Sequence, residues 1–245
     1  ELSLSGGPDS TLQDFQLADP DALHDSGTVR PGGYVAADGA LTEWWDASGA
    51  ATCDDGSDPS SIGLEPGETV VCTFRYTKRG KILIDVVTDP SNDPQAFDLS
   101  LTGGPDGIAQ NFQLADADAP HDSGTVRTGS YAAADGALTE WWNFVESTCD
   151  DGSDPSAIGL EPGETVTCTF RYLKRSRIVV VKVATPEDPQ LFDFMVSGTH
   201  AESFQLDDDG DANAGMPDTW DALVDPGALT VVQADAGEAW DLTAI

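Results

Sequence analysis

His24-Asp25-Ser26 and His121-Asp122-Ser123 each bring together the three residue types of a nucleophilic triad. A triad, however, needs those groups to converge from different parts of the chain, with an orienting partner and an oxyanion hole. Three consecutive residues cannot do this, so both His-Asp-Ser-Gly strings read as exposed turns. No repeated nucleophile–base pair, catalytic metal set or phosphate loop occurs elsewhere in the sequence, and enzymatic activity is not expected.

The acidic residues suggest a second chemistry. Asp207, Asp209, Asp211 and Asn213 alternate with small residues, and hard oxygen ligands at alternate positions suit Ca²⁺. The spacing is similar to an EF-hand loop, but Gly210 stands at position 4 and no Glu follows at position 12. Calcium is therefore the one cofactor to test, against a solvated acidic loop. The turns holding Asp54, Asp55 and Asp58, and Asp150, Asp151 and Asp154, are lesser candidates.

The cysteines are Cys53, Cys72, Cys149 and Cys168, with 19 residues of separation in each pair. Their repetition at matched positions predicts two intradomain disulfides, Cys53–Cys72 and Cys149–Cys168. Each closes a loop worth roughly 3 kcal/mol by chain entropy. A metal site would have only two thiolates and no nearby His, and no C-x-x-C motif points to redox catalysis. Disulfides imply an oxidising, extracellular or cell-surface location.

Two further groups suggest interfaces. Glu43-Trp44-Trp45 and Glu140-Trp141-Trp142 carry adjacent indoles. On a strand these point to opposite faces, so one of each pair can enter a core while the other is left for a partner protein, a glycan or a neighbouring edge. Arg75, Lys78, Arg79, Lys81, Arg171, Lys174, Arg175 and Arg177 are eight of only 11 Lys+Arg residues. Two clusters of cations in so acidic a chain predict attraction to an acidic face, which sets register and orientation. A solvated strand end is the plain alternative.

These residues sit on a repeat. Residues 2–8, LSLSGGP, return at 99–105 as LSLTGGP, and FQLAD, HDSGTVR, ALTEWW, CDDGSDPS, LEPGETV and CTFRY all recur in the same order. A divergent third copy includes Phe192-Asp193-Phe194 and Phe204-Gln205-Leu206-Asp207. The copies divide the chain into 1–77, 78–173 and 174–245. The first lacks the strand that reads KILIDVV (81–87) in the second and RIVVVKV (177–183) in the third; the third lacks the last strands. Either the sequence is a window on a longer repeat protein, or neighbouring subunits donate the missing strands.

KILIDVV and RIVVVKV are β-branched runs of strand length. FDLSLTG, ETVVCTFRY and ETVTCTFRY alternate apolar and polar residues as half-buried strands do, and Gly-, Pro- and Asp-rich turns separate them. No helical period is sustained. An all-β sandwich or barrel in each copy is expected. The ADGALTEWW segment reads as either a strand or an irregular crossing. Four-residue joints are too short to act as loose tethers, so the copies should form a stiff head-to-tail rod.

The chain carries 44 Asp+Glu against 11 Lys+Arg, a net charge of −33. This argues against nucleic acid and anionic lipid as partners. No apolar run is long enough to insert in a membrane. The first residues lack the basic and apolar regions of a signal peptide, so the sequence reads as mature or as a fragment.

The string CDDGSDPSSIGLEPGETVVCTF followed by TKRGKI resembles a SpaA-type, prealbumin-like repeat, related to the Cna-B domains of bacterial and archaeal surface proteins. The resemblance spans essentially the whole chain. It implies tandem Ig-like or prealbumin-like β-sandwich modules. Many such domains carry a Lys–Asn or Lys–Asp isopeptide bond assisted by a Glu. Here the matching first-strand position is Val86 in the second copy and Lys182 in the third, the last strand Thr169–Tyr172 has no Asn or Asp, and the Glu position falls on Glu43, Glu140 or Gln233. Isopeptide bonds are therefore not expected. The resemblance points to a structural protein: a stalk, or a subunit of a pilus-like extracellular filament, assembled from copies of itself. The alternative is an adhesin module that binds glycan or a surface protein through exposed Trp.

Overall fold

Alternation decides the strands. In Phe97-Asp98-Leu99-Ser100-Leu101, residues 97, 99 and 101 are buried, while Asp98 is exposed and Ser100 half-buried. The same two-residue period runs through Ile82, Ile84 and Val86, and through Val166, Cys168, Phe170 and Tyr172. Each set turns one strand face toward a core. A computed structural model of the chain describes residues 1–19, 21–209, 217–237, 239–241 and 243. It is all-β, apart from one short 3-10 turn at Pro155–Ala157 among the described residues.

The first copy contains β1 (Leu2–Gly6), β2 (Thr11–Phe15), β3 (Gly32–Asp38), β4 (Trp45–Ala47), β5 (Thr52–Cys53), β6 (Ile62–Leu64), β7 (Cys72–Thr73) and β8 (Tyr76–Lys78). The second contains β9 (Lys81–Asp89), β10 (Phe97–Gly103), β11 (Ile108–Leu114), β12 (His121–Asp122), β13 (Gly129–Asp135), β14 (Trp142–Cys149), β15 (Ile158–Leu160) and β16 (Thr165–Lys174). The third contains β17 (Ser176–Val181), β18 (Asp188–Gly198), β19 (Glu202–Asp208), β20 (Thr219–Val224) and β21 (Leu229–Gln233).

In the second copy two four-stranded sheets, in the orders β11-β10-β13-β15 and β12-β9-β16-β14, share one core. The first sheet recurs in the first copy as β2-β1-β3-β6 and in the third as β19-β18-β21. The second sheet is reduced to the pairs β4-β8 and β5-β7 in the first copy, and to β17-β20 in the third. The buried residues form three clusters, and their sizes follow the sheets. The central cluster includes Ile82, Ile84, Leu101, Ile158, Val166 and Phe170, whereas the first copy fully buries only Tyr34, Cys53 and Ile62 in its cluster.

The second sheet of the central copy depends on β9, which runs parallel to β16 from Lys81 opposite Thr165 to Asp89 opposite Leu173. Its Ile82, Ile84 and Val86 are at most 1% exposed. Burial of each contributes roughly 1.5–3 kcal/mol. The first copy provides an internal comparison. GETVTCTFRYLK forms one continuous strand, β16, beside β9. The nearly identical GETVVCTFRYTK, with no such neighbour, forms only β7 and β8. The alternation of ETVVCTFRY predicts one strand there, whereas β7 and β8 are separate, paired on one side only among the described residues.

Both predicted disulfides are present, and each joins residues that lie directly opposite one another on neighbouring strands. In the central copy the bond reinforces a ladder already held by β9. In the first copy it spans two-residue strands. ADGALTEWW is the irregular crossing: β13 ends at Asp135 and β14 starts at Trp142, after a turn in which the Trp142 amide donates to the Thr139 carbonyl at 3.1 Å.

One glycine shows how local sequence follows packing. Gly104, at φ +70°, lies so close to Tyr131 that an added Cβ would fall 2.2 Å from the hydroxyl, and Gly7 meets Tyr34 in the same way. The third copy has Thr199 where Gly104 stands and Leu229 where Tyr131 stands. Removing the phenol frees the space, and the glycine is no longer required.

Replacing both Cys53 and Cys72 with Ser is expected to abolish amide protection over residues 52–78 in hydrogen exchange. The matching Cys149/Cys168 pair should cost about 3 kcal/mol and leave β16 protected, because β9 still covers it.

Candidate functional site at the joints between copies

The last strands of the first and second copies run one residue past the expected boundaries, to Lys78 and Lys174, and the joints are shorter than the sequence suggests. β8 ends at Lys78 and β9 begins at Lys81, so only Arg79 and Gly80 intervene; between β16 and β17 there is Arg175 alone. In each case the arginine amide donates to a tryptophan carbonyl of the preceding copy: Arg79 to Trp44 and Arg175 to Trp141, both at 2.8 Å. The guanidinium then reaches across the joint.

At the first joint, Arg79 Nη2 donates to Asp46 Oδ1 at 2.8 Å, and its Nη1 lies 3.9 Å from Asp106 Oδ2. Arg127 approaches the same two carboxylates, 3.3 Å from Asp46 Oδ2 and 3.4 Å from Asp106 Oδ1. Two arginines and two aspartates thus alternate in a ring that joins the first copy (Asp46) to the second (Asp106 and Arg127). Asp46 and Arg79 are shielded, with side-chain exposures of 19% and 24%. The hydrogen bond from Arg79 holds the Asp46 carboxyl below its usual range, despite the opposing effect of burial; the charges of Arg79 and Arg127 lower it further. Tyr131 fixes the downstream half by donating its hydroxyl to the Arg127 carbonyl at 2.5 Å. Gly80 is fitted against the second copy, since a Cβ there would meet the Glu164 carbonyl at 2.8 Å.

At the second joint, Arg175 Nη1 donates to the Glu140 carbonyl (3.3 Å) and Nη2 to the Leu223 carbonyl (2.6 Å), while Nε lies 3.5 Å from Asp225 Oδ1. Asn143 Nδ2 donates to the same Asp225 oxygen at 2.6 Å. Asn143 occupies the position of Asp46. Asp225 follows buried Val224, as Arg127 follows buried Val126; Val224 pairs with Ser176 as Val126 pairs with Gly80. The flanking pair Asp46/Arg127 has therefore become Asn143/Asp225 around an unchanged arginine. The carboxylate nearest the arginine comes from upstream in one joint and from downstream in the other.

The remaining candidates fall as follows. Lys78 accepts at its carbonyl from the Gly163 amide, 3.3 Å away. Lys81 pairs with Asp122 at 2.8 Å and lies 5.8 Å from the Trp44 ring centre, so it also touches both copies. Lys174 pairs with Asp93 and covers Trp142, and Arg171 pairs with Glu146, both within the second copy. Arg177 pairs with Asp221 within the third. The Arg75 carbonyl accepts from the Ser48 amide at 2.7 Å. Trp142 is buried against Phe97 and Trp141 is exposed, as one-in, one-out packing predicts. In the first copy Trp44 and Trp45 are both exposed, a departure from that expectation.

In the second copy the His-Asp-Ser-Gly string is not the exposed turn expected, because its side chains enter packing and hydrogen bonds. His121 stacks on Phe112 at 3.6 Å and lies 2.9 Å from Gln110 Oε1, Asp122 receives Lys81, and buried Ser123 accepts from the Ile82 amide at 2.9 Å. Burial pushes the His121 pKa down. In the third copy Trp220 stacks on Phe204 in the corresponding place.

The acidic turns are occupied in the same manner. Asp55, Asp58, Asp151 and Asp154 each accept from a serine amide and hydroxyl two residues ahead, and these bonds hold their carboxyls below the usual range. Asp54 and Asp150 accept from the Val71 and Thr167 amides at 2.9 Å. Asp208 accepts from the Ala184 amide at 2.6 Å. Buried Asp207 is pushed upward by desolvation and by neighbouring carboxylates, Asp209 foremost. Asp211 and Asn213 lie outside the described residues. Among the described residues no three His, Cys, Asp or Glu side chains gather as a metal site.

Sequence alone places the arginines at the joints but not Asp46, Asp106, Arg127, Asn143 and Asp225, which complete them. The signal available was the exchange of Asp46 and Arg127 for Asn143 and Asp225 at matched repeat positions. Asp46→Asn should weaken the first joint by about 1.5–3 kcal/mol, as expected for a charged hydrogen bond. Adding Arg127→Asp should restore it by reproducing the second joint, whereas Arg127→Asp alone should be worse than either. Small-angle scattering and interdomain residual dipolar couplings would read these differences. Asp46 has a folded pKa below its ordinary 3.8, so its contribution is complete above about pH 5 and is lost as the pH falls through that lower folded value. The first joint should therefore loosen only in acid.

No family model and no curated protein matches the chain. A solved structure, the Bacillus anthracis TIE protein, is similar over 91% of this chain and 51% of its own, at 11% identity and a TM-score of 0.36. This chain thus spans about half the length of that structure, and a likeness this low carries no argument about fold or activity.

Proposed function

We propose that the chain is a non-enzymatic structural protein of the cell surface or extracellular matrix: a stiff tandem array of Ig-like, prealbumin-like β-sandwich modules of the SpaA type, serving as a stalk or filament subunit. The observation that carries this reading is the arginine at the matched position of each joint, Arg79 and Arg175, which binds the copy before it and the copy after it. A flexible linker would need no such residue. Joints of one or two residues leave little freedom between neighbours. The disulfides fit an oxidising location, and the acidic composition favours a solvated surface that resists nonspecific association. Head-to-tail contacts that do not close generate filaments.

A second reading, an adhesin module, is favoured by one observation. Trp44, Trp45 and Trp141 are 38–43% exposed, and flat exposed indoles suit a sugar ring or a partner protein. Small-angle scattering of the purified chain should give an elongated particle whose maximum dimension is shortened or smeared by Arg79→Ala with Arg175→Ala. Electron microscopy of native material should show rods or fibres. A chain that scatters as a flexible string in its unsubstituted form would sink the stalk reading. Glycan-array binding lost in Trp45→Ala and Trp141→Ala would favour the adhesin.

A further inference from the structure

We propose that the second copy is a load-bearing module, in which tension along the chain is carried as shear across the parallel pair β9 and β16. The stalk or filament role, on which this inference rests, supplies the tension; the clamp is what lets such a stalk withstand it.

The joints set the load path. A pull on the chain reaches the second copy at Arg79-Gly80, directly before β9, and leaves it at Arg175, directly after β16. No slack separates either strand from its joint. The two strands are neighbours in one sheet and run parallel, from Lys81 opposite Thr165 to Asp89 opposite Leu173. The pull therefore enters at one end of the ladder and leaves at the other. It draws β9 toward its own N-terminus and β16 toward its C-terminus, so the strands must slide past one another and the bonds of the ladder are loaded together. Antiparallel first and last strands would place both points of pull at the same end, and their bonds would open one at a time.

The ladder is shielded as well as aligned. Ile82, Ile84 and Val86 on β9, and Val166, Cys168 and Phe170 on β16, are at most 2% exposed. Sliding β9 out brings this apolar surface into water while the bonds break. On the side away from β16, β9 has further anchors near the point of entry. The Gly80 amide donates to the Val126 carbonyl at 2.9 Å, and the Val126 amide donates to the Gly80 carbonyl at 3.0 Å. Lys81 Nζ donates to Asp122 Oδ2 at 2.8 Å, and the Ile82 amide donates to Ser123 Oγ at 2.9 Å.

The disulfide lies behind this clamp. On its other side β16 pairs with β14, from Trp142 opposite Lys174 to Cys149 opposite Cys168, and the last pair is covalent. β9 is thus the strand that yields first. Once it has yielded, the chain between Cys149 and Cys168, a separation of 19 residues, stays closed. This withholds about 60 Å of extension at full stretch, so the copy gives way without unravelling completely.

The test pulls on the full chain through handles attached by click chemistry at exposed positions, so that only the second copy is under load. Handles at Lys78 and Ser176 load the ladder lengthwise; handles at Lys78 and Thr165, at one end of it, peel it open. Forced rupture reads the unfolding rate along the direction of pull and not the equilibrium stability. In optical tweezers the lengthwise pair should rupture at a higher force than the peeling pair, although the same ladder breaks in both. Replacing both Cys149 and Cys168 with Ser should lengthen the lengthwise step by about 60 Å and preserve the difference between the two directions. Equal forces in the two directions would overturn the proposal. So would a lengthwise force that drops to the peeling value when the disulfide is removed, since the load would then rest on β14 and not on β9. A force independent of direction, in a chain that scatters as a rod, would reject the clamp and leave the stalk standing; a directional clamp in a chain that scatters as a flexible string would do the reverse.

Discussion

The parallel pairing of β9 with β16 is the interaction on which the second copy depends. It joins the first strand of the copy to the last, so everything between them is enclosed by one ladder. Parallel neighbours need a long crossover, and here the crossover comprises six strands of the copy. The consequence of losing the pairing is visible within the same molecule. In the first copy, where no strand of the described residues lies in the place of β9, a nearly identical sequence forms two short strands and the buried cluster is limited to Tyr34, Cys53 and Ile62. Strand propensity is present in both copies, but burial and ladder partners determine whether it is realised.

The joints grow out of the same strands. Each begins where the last strand of one copy has run its length, and each has room for only one or two residues before the next strand starts. A guanidinium suits this position. It is planar, always charged, and presents donors in several directions at once, so a single residue can bond to the chain behind it and the chain ahead. The carboxylate that answers it comes from either side, as Asp46 and Asp225 show. The net attraction is kept while the residues that supply it are exchanged. Such complementarity governs register and orientation more than affinity.

Residues whose types could do chemistry make defined packing and hydrogen-bond contacts here. The histidines of the His-Asp-Ser-Gly strings stack on phenylalanine, their aspartates terminate turns or receive Lys81, and Ser123 closes the edge of β9. In the third copy Trp220 takes the place of His121 and stacks on Phe204, so both copies put a flat ring there. The acidic turns likewise use their oxygens on nearby amides and hydroxyls. The high charge of the chain therefore includes many carboxylates with defined local partners, and it is not simply a solvated coat.

Much of this was legible in the residues. Two-residue alternation marked β9, β10 and β16, the repeat aligned the copies, and the cysteines announced their pairs by recurring at matched positions; all are local or periodic signals. The arginines of the joints could be placed for the same reason, since they adjoin strands in sequence. Their partners could not. Asp106 and Arg127 lie far along the chain from Arg79, and only the bridge between Gly80 and Val126, with β9 paired to β16, brings them to it. The separation of β7 from β8 and the exposure of Trp45 were not legible in the residues themselves, which match those of the second copy; they follow from what lies beside them in the fold. Sequence by itself determined which segments can be strands and where the repeat turns over. Tertiary structure alone decided which strands are completed and which charges meet, because both depend on neighbours brought together by the fold.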